Sequence, residues 1–162
     1  MGTLYIATPK TSHAITEVAT SAAVKTVLQV ATPSTTDIRV IGWGISFKGI
    51  SATAEPGNVV LVDVDVAATV TSLTPDEWES DNAQASLCVG GTTATGYNAS
   101  GEGSIAGSRF LDAQGVHPQT GYGVWFPEAR HPSVKASRFL RIRTTFDVDI
   151  NCIPWIVWEE PA

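Results

Sequence analysis

Charge is scarce in this chain. Only 16% of its 162 residues are Asp, Glu, Lys or Arg, against roughly 25% in an average soluble domain. Lysine occurs four times. Ten basic residues against sixteen acidic ones leave a net charge of −6. That balance argues against a nucleic-acid binder, which gains affinity by placing excess Lys and Arg on phosphates. Long apolar runs are missing as well. The longest, Cys152-Ile-Pro-Trp-Ile-Val-Trp158, falls far short of the about 20 residues that cross a bilayer as a helix. The opening Met-Gly-Thr-Leu-Tyr-Ile-Ala-Thr-Pro has neither a basic region nor an apolar core, so no secretion signal and no membrane partner are expected. Two cysteines, Cys88 and Cys152, are too few for a disulfide framework. They allow one bridge without requiring it, and free buried thiols are the expectation. With so few charges, either the surface is polar and uncharged or a partner covers part of it.

Catalytic signatures are also lacking. The chain has no Gly-x-Ser-x-Gly elbow, no phosphate loop and no His-Glu-x-x-His. Gly101-Glu-Gly-Ser-Ile-Ala-Gly107 resembles a dinucleotide fingerprint loosely, but its spacing is one residue too long and no βαβ unit surrounds it, so a flexible loop is expected. His117 and His131 each precede proline, which favours extended backbone and marks turns. With His13 they do not form a ligand pattern, and the cysteines are not a Cys-x-x-Cys pair. No enzyme, cofactor or metal is therefore expected.

What the sequence does have is strands. Helical periodicity is nearly absent, and short apolar segments are separated by Gly, Pro, Asn and Asp. Residues 22–31 hold a first strand. In Ile38–Phe47, Ile41, Trp43, Ile45 and Phe47 share one face at period two, with Gly42 and Gly44 on the other. Side-chain-free positions there point to a bulky Trp packed over glycine from a neighbouring strand. In Val59–Val66 four valines alternate with Leu61, Asp63 and Asp65, the pattern of a half-buried strand with a valine face. Ser86–Val89, Tyr122–Phe126, Phe139–Phe146 and Val148–Trp158 complete the strand set. Pro154 inside the last implies a bulge or an edge. Thr74-Pro-Asp-Glu-Trp-Glu-Ser80 carries a capping box and predicts one short helix over 74–80. These elements predict an all-β fold: a single antiparallel β-sandwich, jelly-roll-like, of about eight strands over residues 21–162, preceded by an extended arm over residues 1–20.

Three groups are candidates for binding. Asp63/Asp65 and Asp147/Asp149 each place two carboxylates on one strand face. They would suit calcium or a glycosidase pair if they converged, and otherwise form a solvated outer face. Arg130, Lys135, Arg138, Arg141 and Arg143 gather five of the ten basic residues in fourteen positions. Arg141 and Arg143 share a face and can dock an acidic partner or pair with the chain's own carboxylates. Trp155 and Trp158 are three apart on a strand and face opposite ways, which offers at least one as an interface anchor. Exposed aromatics on a sandwich also suit stacking on sugar rings, as in carbohydrate-binding modules. The small apolar piece Leu4-Tyr5-Ile6 in the arm can add a strand to a neighbour's sheet.

Ile41-Gly-Trp-Gly-Ile-Ser-Phe47, Ala94-Thr-Gly-Tyr-Asn-Ala-Ser100, Val124-Trp-Phe-Pro-Glu-Ala-Arg130, Phe139-Leu-Arg-Ile-Arg143 and Ile153-Pro-Trp-Ile-Val-Trp-Glu-Glu160 resemble segments of small β-rich virion proteins encoded by tailed phages of actinobacteria. The likeness runs from about residue 38 onward. It implies a non-enzymatic capsid decoration protein, commonly a homotrimer, bound to the major capsid protein lattice on the outside of a virion assembled in the host cytoplasm. A tail or fibre component, or a carbohydrate-binding sandwich, is the alternative. The partner-contact residues expected are Leu4, Tyr5, Ile6, Arg141 and Arg143 for the decoration reading, with Trp155 and Trp158 as candidate anchors; the alternative uses exposed Trp and Tyr.

Overall fold

The computed structural model describes residues 2–49, 55–79 and 84–161. Along the chain run β1 (Thr3–Ala7), β2 (Lys10–Thr11), β3 (Ala14–Ile15), β4 (Val18–Ala19), β5 (Lys25–Ala31), β6 (Ile38–Lys48), β7 (Gly57–Val64) and β8 (Thr69–Ser72). There follow β9 (Asp76–Glu77), β10 (Gly96–Gly101), β11 (Ser108–Val116), β12 (Tyr122–Trp125), β13 (Ser133–Val134), β14 (Phe139–Thr145) and β15 (Asn151–Glu160). Two antiparallel sheets pack as a sandwich. The first has the order β12-β6-β15-β1-β9, with β13 on β6 and β4 on β15; the second has the order β11-β7-β14-β5-β10-β8. β2 and β3 form a separate hairpin. The fold class read from the sequence holds, while the strand count rises from about eight to fifteen among the described residues, because two-residue pieces extend the first sheet (β4, β9 and β13) and form the hairpin.

The core lies between the sheets. Trp43 and Ile45 of β6, Ile156 and Trp158 of β15 and Tyr5 of β1 meet Leu28, Val30, Leu61, Leu140 and Ile142 from the other sheet. The period-two pattern of β6 explains its share: Trp43 and Ile45 point in, and Gly42 and Gly44 point out. Tyr5 stacks on Trp158 at 6.2 Å between ring centroids. Cys88 and Cys152 are both free and buried, as expected. Burial raises both thiols, Cys152 to about 12, and the nearby Glu160 carboxylate raises Cys88 further.

Several expectations are corrected. The first residues are not a free arm: β1 pairs with β15 from Thr3↔Glu160 to Ala7↔Ile156, so the strand it was expected to lend a neighbour completes its own sheet. The capping-box segment is not helical. Asp76 and Glu77 pair with Ile6 and Tyr5, and Trp78 donates its backbone N–H to Leu4 O. A two-turn helix is marginal alone, and the ladder offered by β1 outweighs it. Ser80 lies outside the described residues, where the only helical turn is the 3-10 turn Glu128–Arg130. Ser86–Val89 forms no strand. Pro154 sits in a long central strand, but β1 pairs residues 156–160 and β4 pairs 151–152, so on that side nothing pairs with Pro154 itself. It occupies a local edge.

The valine face of β7 is likewise reversed. Val59 and Leu61 face the core, and Val62 and Val64 face outward yet are buried. A cover explains this. The loop between β10 and β11 crosses the outside of the second sheet and is tied there by two carboxylates. Glu102 accepts from Thr26 N and Oγ1 and from Arg143 Nε (3.0 Å). Asp65 accepts from Ala106 N.

A candidate binding face of three tryptophans

The outer surface of the first sheet is built from residues that alternation turns away from the core. Trp125 of β12 is registered with Gly42 of β6, Gly42 with Val157 of β15, and Val157 with Ile6 of β1. One residue pair along, Gly123, Gly44 and Trp155 form the next row. The glycines are what let the indoles lie flat. A Cβ at Gly42 would stand 2.6 Å from Trp125 Cε3, and one at Gly44 would stand 2.6 Å from Trp155 Nε1. This is the tryptophan-over-glycine packing predicted from the Gly-Trp-Gly segment. Trp125 and Trp155 meet at 5.0 Å between ring centroids with a 37° tilt.

Trp78 joins them from the far side. It follows β9, at the opposite end of the strand order from β12. Strands four steps apart in a sheet are separated by about 19 Å. Its ring nevertheless lies 6.1 Å from that of Trp125, edge to face at 74°. Indoles from opposite edges therefore meet above the middle of the sheet, and Val157 beneath is only 2% exposed. The rings themselves stay open: Trp78 is 49% and Trp125 54% exposed. Next to this face the β2–β3 hairpin and Asp76 enclose a pocket of about 350 Å³, where Lys10 pairs with Asp76.

The structure separates the residues expected to bind. Trp155 lies on the face. Trp158 faces the other way, as its spacing required, but is fully buried and donates Nε1–H to Glu160 at 3.0 Å. Tyr5 is buried, while Leu4 and Ile6 are half-buried in β1. Arg141 is corrected as a contact: its side chain is 0% exposed. It donates to Glu102 O, Val66 O and Thr26 Oγ1 under the β10–β11 loop. Burial lowers its pKa and Glu102 raises it back in part. Arg143 is bound to the same carboxylate. The arginine pair thus serves the chain's own carboxylate.

The aspartate pairs do not converge. Asp63 is buried between Arg109 and Arg138. Asp147 and Asp149 follow β14 in a loop instead of sharing a strand face. The register Phe139↔Val64 to Thr145↔Asn58 puts the pairs at opposite ends of β14, about 20 Å apart. Among the described residues no group of three or more His, Cys, Asp or Glu side chains is placed to hold a metal. Sequence reasoning missed Trp78 and Trp125 as site residues. The signal for Trp125 was Gly42, whose empty position needed an occupant. Trp78 carried none, because its segment read as a helix.

Fold and face define an all-β sandwich with an aromatic outer surface. No model of a known protein family matches this chain, and no curated protein or solved structure is found to be similar to it.

Proposed function

We propose that this chain is a non-enzymatic structural protein of a phage particle, which decorates the assembled capsid and stabilises it by protein–protein contact through the Trp78–Trp125–Trp155 face. The exposed tryptophan cluster carries the reading. Partly exposed Trp anchors on a rigid sheet are the residues that dominate protein interfaces. Three of the five segments resembling virion proteins, 41–47, 124–130 and 153–160, supply the strands of this one face. The rings are tilted by 37° and 74°, which suits insertion into a contoured protein surface better than stacking along a flat polysaccharide. Many such contacts at the high local concentration of a lattice add up to a strong cement.

The test is cosedimentation of the chain with capsid shells lacking it. Wild type binds; Trp78→Ala with Trp125→Ala binds at least about thirtyfold more weakly, as loss of even one anchor worth about 2 kcal/mol requires. Failure of the wild-type chain to bind, or undiminished binding by the double variant, refutes the proposal. A saccharide ligand is the second reading, favoured by the open pocket at the Lys10–Asp76 pair, two residues along the chain from Trp78. Glycan-array binding lost on Trp78→Ala, with no shell binding, selects it.

A further inference from the structure

Sheet edges are normally blunted by shortness, proline, charge or a bulge, and of these β11 has a single bulge and Arg109. Among the described residues β9 has two residues, β8 four, and β12 four before Pro127. β11 differs, with nine residues and neither proline nor lysine. Its charged side chains are both engaged within the chain, Arg109 while still 53% exposed. Arg109 binds Asp63 and Ser133 O, and Asp112 accepts from Trp43 Nε1 and Tyr122 OH across the sandwich. The residues on its outer surface, Ser108, Phe110, Ala113 and Gly115, are uncharged and exposed, Phe110 by 66%.

Backbone directions follow from two hydrogen bonds. Asp65 N donates to Gly107 O at 3.2 Å, so Gly107 faces β7, and alternation turns Ser108 and Phe110 away from it. A bulge then shifts the register between Phe110 and Asp112. Beyond it, Ala113 N–H is accepted by Asp112 Oδ1 at 2.9 Å, which turns Ala113 and Gly115 away from β7. The outward positions are therefore symmetric about the bulge: 108 and 110 on one side, 113 and 115 on the other.

We infer that β11 is a self-pairing edge: two copies of the chain join antiparallel, β11 to β11, about a two-fold axis between Leu111 and Asp112. The inference is independent of the decoration proposal. The axis brings Ser108 of one copy opposite Gly115 of the other, and Phe110 opposite Ala113, each a position pair that exchanges two backbone hydrogen bonds. The Ala113 N–H exchanges its bond to Asp112 for one across the axis. Phe110 gains the small Ala113 to lie against, and a Cβ at Gly115 meets nothing within 4 Å in the single chain, which leaves room for a second strand. No like charges oppose each other, since Arg109 falls opposite Gln114. A foreign strand would use the same donors, but only a second copy uses their symmetry. An interface of one strand pair is smaller than the about 1,200 Å² of a standard one, so association in the range of about 1–100 μM is expected.

Sedimentation velocity on the full chain tests this. The expected result is a concentration-dependent shift from 17.1 kDa to twice that mass. Gly115→Pro and Phe110→Lys each abolish the shift and leave the melting temperature unchanged. In addition, Ser108→Cys with Gly115→Cys gives a covalent dimer on oxidation. A chain that stays monomeric at every concentration, a trimer, or a dimer that survives both single variants overturns the inference. So does absence of the cross-link.

Discussion

Gly44→Ala isolates the packing on which the tryptophan face rests. The added Cβ would lie 2.6 Å from Trp155 Nε1 and 2.7 Å from Cε2 and Cζ2. Carbon contacts settle at about 3.5–4.0 Å, so the indole has to rise by about 1 Å. Trp155 is wedged against Trp125 at 5.0 Å and against Gly123, so this lift disturbs both. Overpacking of this kind costs about 1–3 kcal/mol. Replacing glycine in a strand returns about 0.5–1 kcal/mol by restricting the unfolded chain. The net loss is up to about 2.5 kcal/mol, a drop of up to roughly 10 °C in melting temperature for a chain of this size. The assay is urea unfolding of Gly44→Ala, Trp155→Ala and the double variant. With the ring removed, Gly44→Ala becomes neutral or stabilising, and the cycle shows a coupling of about 1–3 kcal/mol. Additive effects in the cycle, whatever the size of the single effect, refute the reasoning.

Glu102→Ala leaves the buried Arg141 and the half-buried Arg143 without their carboxylate, and is expected to cost about 3 kcal/mol in urea unfolding. Asp65 is held below its ordinary pKa, first by the Gly107 backbone N–H and further by that of Ala106. Its contribution is therefore present above the ordinary carboxylate range and lost as pH falls through the lowered value. Asp65→Asn should lose less stability than wild type between neutral pH and about pH 3, read from urea midpoints. With burial holding both thiols protonated, Cys88 and Cys152 are expected to resist a thiol reagent at about pH 8 and to react only on unfolding. Rapid labelling of the folded chain contradicts this. Replacing Asp112 with Leu removes the acceptor of Trp43 Nε1 and Tyr122 OH. A loss of about 1–3 kcal/mol is expected from the two orphaned donors, with a near-ultraviolet dichroism change at the tryptophan band.

Legibility in the sequence followed the range of the interaction. The inward set of β6 and the glycines under the indoles could be read because alternation is local. So could the opposed faces of Trp155 and Trp158. Arg141 shows the limit. Its outward parity was correct, but parity carries no information about a loop some forty residues earlier that lies over it. The same cover hid the valines of β7. The capping box at 74–80 is a sound local signal that lost to a ladder supplied by residues 5 and 6. The arm failed for the same reason: Leu4-Tyr5-Ile6 was read as an apolar piece needing a neighbour, and the neighbour was the last strand of the same chain.

That last pairing orders events in time. β15 is flanked by β6 and β1, so β1 can take its place in the sheet only after the much later, ten-residue β15 has left the ribosome. Until then Tyr5 has no Trp158 to stack on. A nascent chain must hold β1 without its β15 partner while residues 8–150 are made, with only the two-residue β9 able to pair with it earlier. Once closed, the two strands hold positions 3 and 160 side by side, so a fluorophore near each would report the closure as a single rise in energy transfer.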